Sequence, residues 1–290
     1  MEKPTNMENP TNMEKPTNNS LLVNEMFASI AGEGLYAGKP NFFIRLVGCN
    51  LYCSWKGVMG TSMCDSIYAS HPSSDKEIKY RTVDETFEAF QELMNQYPKI
   101  TQLTITGGEP LLQREGVKEF LKRLPHYLDV SFETNGTQLP INTLFETDMR
   151  VDLWTVSPKL SSSCYFVNSP IQKALQEKHK KERINVRALY EFTQLQDAKC
   201  IFKFVAATDE DIQEIKEIIN KVTKYTEETY PMDLGRVVDF FDENVYIMPC
   251  GETEEKLQKS RLLCVEACKE NGWTYTDRLQ IIIYGDKRGV

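Results

Sequence analysis

Short apolar runs alternate with helical patterns along most of this chain, and that alternation restricts the fold more than any other feature. Residues 42–47, 102–106, 129–133, 153–156, 201–206, 245–248 and 279–284 are brief runs rich in β-branched or aromatic side chains. Such runs, bounded by turn residues, predict strands. Between several of them lie helical patterns, clearest at 83–97, 117–124, 209–226 and 253–271. The order predicts an α/β fold with a mostly parallel sheet, open or curled into a barrel. With 290 residues, 41% hydrophobic and 26% charged, one catalytic domain over 21–290 is expected, large enough to bury a single core. In both versions of the fold the site lies at the carboxyl ends of the strands. GCNLYC follows the first run, TGGEP the second, TNGT the third and SPK the fourth. Four chemically loaded turns should therefore share one mouth.

Cys49, Cys53 and Cys64 lie within the first of these turns and its extension, RLVGCNLYCSWKGVMGTSMCDS. Lone cysteines are usually buried packing residues, but three in so short a polar, Gly-containing stretch point to metal ligation. Three thiolates are one short of a closed site, so one metal stays open to another ligand. Zinc competes with an iron–sulfur cluster for this set. A structural zinc wants a fourth ligand, and His71 is the candidate close in sequence. Cys53 and Cys64 are separated by ten residues, Ser54 to Met63. With 56–63 set aside as an insertion, CNLYCSW runs directly into CDS, and Gly57 and Gly60 would let the insertion loop out. Cys264 and Cys268 share one face of an apolar helix and are read as core.

The other turns offer complementary groups. In TGGEP, Gly107 and Gly108 permit close backbone approach, and Glu109 can accept from an ammonium group. The bland reading is a Gly–Gly turn with Pro opening a helix. Glu33 of SIAGEG offers a carboxylate to N–H donors. Arg45 offers a fork to a carboxylate, or a strand-edge salt bridge. Asn135 and Ser157 can hydrogen-bond a ribose, Lys159 can neutralise a carboxylate, and Asp65 and Ser66 supply hard oxygen suited to Mg²⁺. The charged stretch 172–187 reads as a solvated helical face.

A net charge of −8 with scattered Lys and Arg argues against a nucleic-acid surface. Eight irregularly spaced cysteines fit reduced cytosolic thiols. No apolar run approaches the roughly 20 residues that span a bilayer, and the N-terminus has no apolar signal core. A soluble cytoplasmic protein is expected. Residues 1–18 repeat a Pro-containing hexamer, MEKPTN, MENPTN, MEKPTN. Residues 1–20 are therefore expected to be a disordered tail.

Taken jointly and in order, SIAGEG, FFIRLVGCNLYC-SW, CDS, TITGGEPLLQ, FETNGT, TVSPK and LQIIIYGDKRGV resemble the 7-carboxy-7-deazaguanine synthases of the radical S-adenosylmethionine superfamily, whose usual cysteine pattern is CxxxCxxC. The resemblance covers nearly everything from residue 23 onward. It implies an incomplete (β/α) barrel, a [4Fe–4S] cluster, S-adenosylmethionine and Mg²⁺. It also implies a lyase of queuosine-type biosynthesis, in which a 5′-deoxyadenosyl radical takes hydrogen from C6 of 6-carboxy-5,6,7,8-tetrahydropterin. Ring contraction and loss of ammonia then give 7-carboxy-7-deazaguanine. A flavodoxin- or ferredoxin-type reductant and a homodimer are expected.

Carried over by position, Cys49, Cys53 and Cys64 are cluster ligands and Ser66 the Mg²⁺ ligand. Gly108, Ser157, Pro158 and Lys159 contact S-adenosylmethionine, with Met63, Asp65, Glu109 and Asn135 beside them. Ile30, Ala31, Gly32, Glu33, Arg45 and Thr106 line the substrate, and the carboxylate of Val290 closes its pocket. Two departures stand out. Ala31 replaces the family's usual Gln, and the aromatic residue expected before the third cysteine is displaced to Trp55, leaving Met63 beside Cys64. The alternatives are another radical S-adenosylmethionine enzyme, such as a glycyl-radical activase, or a non-catalytic iron–sulfur module.

Overall fold

In the computed structural model the apolar runs become the middle of one sheet. It describes residues 19–57, 60–141, 149–165, 170–285, 287 and 289; the repeats of 1–18 and Val290 lie outside the described residues. The strands are β1 (Ser20–Ile30), β2 (Pro40–Leu46), β3 (Ser54–Gly57), β4 (Gly60–Met63), β5 (Tyr80–Thr82), β6 (Gln102–Gly107), β7 (Asp129–Thr134), β8 (Leu153–Val156), β9 (Lys199–Ala206), β10 (Val245–Pro249) and β11 (Thr274–Tyr275). The helices are α1 (Ile67–Ser70), α2 (Val83–Gln96), α3 (Arg114–Leu121), α4 (Pro170–Glu182), α5 (Val186–Thr193), α6 (Asp209–Thr229), α7 (Leu234–Glu243), α8 (Glu254–Asn271) and α9 (Leu279–Tyr284).

Nine strands pair in the order β11-β10-β9-β8-β7-β6-β2-β1-β5. From β2 to β11 every neighbour is parallel, while β1 and β5 add an antiparallel edge. The ends do not meet, so the sheet is an incomplete (β/α) barrel, as expected from the sequence.

The period-two alternation of strands separates two environments. Leu103, Ile105, Val130, Phe132, Trp154, Phe202 and Phe204 face outward and pack into the main core. Their neighbours Thr104, Thr106, Ser131, Glu133, Thr155 and Lys203 face the concave side and line one large cavity. Aromatic contacts knit the outer layer: Phe132 stacks on Trp154 with centroids 4.7 Å apart, and Phe42 meets Phe90 edge-on at 5.3 Å. Capping boxes at Thr82/Glu85 and Thr208/Asp211 start α2 and α6, each satisfying two orphan backbone donors.

Three local expectations change. Residues 279–284 form α9 rather than a strand: Ile281 is buried while Ile282 and Ile283 are half exposed. The β-branched run misled because β-propensity is a weak preference that tertiary context overrides; Leu279 N–H donates to Gly32 O at 2.9 Å, and Gly285 N–H closes the helix on Ile281 O at 2.9 Å. The eleven-residue strand β1 was not anticipated, since SLLVNEMFASI lacks clean alternation and its pairing with β2 slips between Val23 and Glu25. The inserted loop is a β-hairpin of β3 and β4. Among the described residues no helix is long and apolar enough to cross a membrane.

Candidate active site

The hairpin answers the spacing problem. Ser54 pairs with Met63, Trp55 with Ser62, Lys56 with Thr61 and Gly57 with Gly60. An antiparallel pair returns the chain to its starting point, so eight inserted residues add no net displacement. At its base Cys64 N–H donates to Cys53 O at 3.1 Å, and Cys49, Cys53 and Cys64 line the same cavity.

The Gly–Gly turn serves this loop. A Cβ on Gly108 would lie 2.0 Å from Gly48 O and 2.9 Å from the Cys49 Cβ, while Gly107 has φ +136°. Gly108 N–H donates to Leu46 O and Glu109 N–H to Gly48 O, at 3.2 and 2.8 Å. The close approach that the glycines allow is therefore by the chain's own cysteine loop. Glu109 is fully buried and turned from the mouth. Its carboxylate accepts from Leu111 N–H, Asn135 N–H and Thr134 Oγ1 at 2.7–3.0 Å, tying the second turn to the third. Burial outweighs these donors and raises its pKa.

Asn135 completes that tie. Its Nδ2 donates to Asn50 Oδ1 at 3.1 Å and lies 3.8 Å from Cys49 Sγ. Ser157 and Lys159 line the opposite wall, with Lys159 Nζ 3.0 Å from Ser157 Oγ; Pro158 is buried beside them. Burial pushes the thiols of Cys49, Cys53 and Cys64 up, Cys64 to about 12, while Lys159 pulls all three the other way. Ligation requires thiolates, so a metal taken up by these cysteines would release protons on binding.

The donor set fits an iron–sulfur cluster. Among the described residues no three His, Cys, Asp or Glu groups converge on a single ion. A cluster gives each thiolate its own iron and needs no such convergence.

Further along the cavity lies a charged network. Glu33 Oε2 is ion-paired with Lys203 Nζ, while its Oε1 accepts from Arg278 Nε at 3.0 Å and Gln280 Nε2 at 2.6 Å. Burial alone would raise the Glu33 pKa, but Lys203 and Arg278 override it and hold the carboxyl at about 2. Lys203 also stands 4.0 Å from Glu133 Oε1, and Glu133 accepts from Thr106 Oγ1 at 2.7 Å. Arg278 reaches across to Asp65, whose carboxyl is held well below the usual range against burial by Arg278 and Arg45. Arg45 donates through Nε to Glu25 at 2.7 Å and through Nη1 to Ser66 Oγ at 3.2 Å.

The structure thus brings Ile30, Ala31, Gly32, Glu33, Arg45 and Thr106 to one cavity with the cysteines, Asp65, Ser66, Gly108 and Asn135. Its volume is about 930 Å³. Met63 is placed at the hairpin base. Lys203, Arg278 and Gln280 were missed by the sequence reading. Lys203 alone carried a signal, a lysine inside an apolar strand run, a place where charge is rarely buried unless paired.

An open parallel sheet with Cys49, Cys53 and Cys64 grouped in one loop at its carboxyl ends is what the resemblance to the radical S-adenosylmethionine enzymes implies. No family model matches the chain. It is 31% identical to the 7-carboxy-7-deazaguanine synthase of Halobacterium salinarum, over 92% of this chain and 91% of that protein. The enzymes of the same name from Rhodopirellula baltica and Pyrobaculum aerophilum are 28% and 27% identical, over 93% and 92% of this chain and 89% and 96% of their own. Its fold is that of the crystal structure of QueE from Escherichia coli, with TM-score 0.52 and 20% identity over 90% of this chain and 94% of that one. The chain belongs to the 7-carboxy-7-deazaguanine synthase family.

Proposed function

We propose that this enzyme converts 6-carboxy-5,6,7,8-tetrahydropterin to 7-carboxy-7-deazaguanine with release of ammonia, feeding queuosine-type tRNA modification. The observation that carries the reading is the single cavity in which the hairpin-closed cysteine trio faces Glu33, Arg45 and Thr106. When bound and reduced, the [4Fe–4S] cluster on Cys49, Cys53 and Cys64 and S-adenosylmethionine supply the hydrogen-abstracting radical.

The protein binds, orients and shields. Glu33, kept anionic by Lys203 and Arg278, accepts from the amino and ring N–H groups of the pterin. Arg45, fixed between Glu25 and Ser66, presents its fork to the substrate carboxylate beside the hydroxyl that would hold Mg²⁺. Thr106, already donating to Glu133, sets the pocket wall between them. Gly108, Ser157, Pro158 and Lys159 form the wall for S-adenosylmethionine. Lys159 supplies a positive charge near all three thiols, which favours both thiolate ligation and a bound carboxylate.

A flavodoxin- or ferredoxin-type protein delivers the electron to a cytoplasmic homodimer, and a net charge of −8 with scattered cations argues against a nucleic-acid partner. The test is anaerobic reconstitution followed by incubation with reductant, S-adenosylmethionine and the carboxytetrahydropterin. Formation of 7-carboxy-7-deazaguanine is expected. Turnover to 5′-deoxyadenosine without that product would keep the class and reject the substrate, and neither product would leave a non-catalytic iron–sulfur module.

A further inference from the structure

Helix α4 carries one group that its charged sequence hides. His179 is 1% exposed, between Lys178 and Lys180 on an otherwise solvated helix. Both ring nitrogens are engaged. Tyr52 N–H donates to Nδ1 at 3.3 Å, and Nε2 lies 2.9 Å from Ser163 Oγ. The Ser163 hydroxyl donates to Leu160 O at 2.6 Å, so its oxygen accepts and the imidazole proton sits on Nε2. Burial first, then the nearby Arg183 and Lys159, push the His179 pKa down to about 4, keeping the ring neutral and Nδ1 an acceptor.

These contacts belong to a larger brace. Tyr52 immediately precedes Cys53 and Ser54 follows it. Ser54 bridges Cys164 in parallel register and hydrogen-bonds Tyr165 through both its backbone and its hydroxyl, with Tyr165 N–H to Ser54 O at 2.8 Å. Gln176 Nε2, one turn before His179, donates to Cys164 O at 2.7 Å, and Arg183 Nη1, one turn after it, donates to Lys159 O at 2.8 Å. Helix α4 and the residue that follows it thus hold the turn that carries Lys159 and the Tyr52 side of Cys53 directly, and its Ser54 side through Cys164.

We propose that His179 is a positioning residue that locks the middle cysteine of the cluster loop in register with the Ser157–Lys159 wall by accepting the Tyr52 backbone N–H. The inference rests on the cluster reading, and is independent of which substrate is used. The Tyr52 N–H is partly buried, with the Tyr52 ring edge-on to His71 at 4.7 Å between centroids, and losing the His179 acceptor weakens the tie that holds it. The loop then opens more readily, and a cluster that needs three thiolates in fixed positions loads less well.

The test contrasts two isosteric variants. His179→Asn places an acceptor oxygen where Nδ1 stands, whereas His179→Gln places its amide near Nε2 and leaves the Tyr52 N–H unaccepted. Hydrogen exchange of the Tyr52 amide in the metal-free chain is expected to speed about fivefold in His179→Gln and in His179→Ala, and to stay near wild type in His179→Asn. After anaerobic reconstitution, iron bound per chain should fall in parallel in the first two variants and be retained in the third. Thermal melting separates loop release from global unfolding. If His179→Asn and His179→Gln give the same exchange rate and the same iron content, the proposal is overturned, as it is if His179→Ala matches wild type in both. Because exchange is read without cluster or substrate, failure there is distinct from failure of the functional reading.

Discussion

Replacing Lys203 with Met removes the cation on which the charged end of the cavity turns. Three donors hold Glu33 in the wild type: Lys203 on Oε2, and Arg278 and Gln280 on Oε1. In the variant Oε2 loses its partner and Glu133 loses the ammonium 4.0 Å away. Removing one member of a buried pair costs about 3–5 kcal/mol. Two donors remain on Oε1, which places the loss near the lower end, at about 3 kcal/mol. Urea melts of the metal-free chain at neutral pH measure it directly, with an unchanged denaturant slope showing that the same surface unfolds.

The pH dependence gives the sign. Glu33 is held at about 2 from an ordinary 4.5, so its stabilisation is complete above about 4.5 and is lost as pH falls toward about 2. The gap between wild type and Lys203→Met should therefore be flat from pH 8 to about 5 and close below it. Glu33→Gln added to Lys203→Met should cost at least about 1.5 kcal/mol less than Glu33→Gln alone. A cost under about 1 kcal/mol, a gap that persists in acid, or additive single and double variants would refute the reasoning.

Gly108→Ala forces a methyl to within 2.0 Å of Gly48 O. It should destabilise the metal-free chain by about 3 kcal/mol, as overpacking does, and reduce iron uptake; wild-type melting would show that the cysteine loop does not dock on this turn. Deleting residues 56–63 should leave iron content unchanged, because the hairpin returns to its own base at Ser54 and Met63. Loss of iron with the fold intact would mean that β3 and β4 orient Cys64 as well as accommodate the insertion.

The barrel was legible because its parallel strands are short runs rich in β-branched and aromatic residues bounded by turn signals, and six of the seven runs anticipated are strands. The seventh, 279–284, failed because β-branching is a weak preference that tertiary context overrides, and here the run sits in helix α9. The site's four turns were legible from Gly, Cys and carboxylate residues grouped after strands. What joins them was not. Lys203 meets Glu33 across 170 residues and Arg278 meets Asp65 across 213, pairings fixed by the curl of the sheet. His179 was hidden for another reason: the lysines beside it dominate the average character of α4. The Gly–Gly turn was placed correctly on the strand end, but which backbone approaches it is a tertiary fact, and it proved to be Gly48 and Cys49.

The central claim is that Cys64, which lies beside Cys53 despite the ten-residue gap because the hairpin adds no net displacement, is the third cluster ligand. Cys164 is a competing thiol, since it lies in parallel register with Ser54, the neighbour of Cys53. Iron and acid-labile sulfide should be measured after anaerobic reconstitution of Cys64→Ala and Cys164→Ala, with the electron paramagnetic resonance spectrum of each reduced protein recorded before and after S-adenosylmethionine is added. The account predicts that Cys164→Ala keeps a four-iron cluster whose spectrum shifts on addition, and that Cys64→Ala does not. A cluster retained in Cys64→Ala and lost in Cys164→Ala would contradict it.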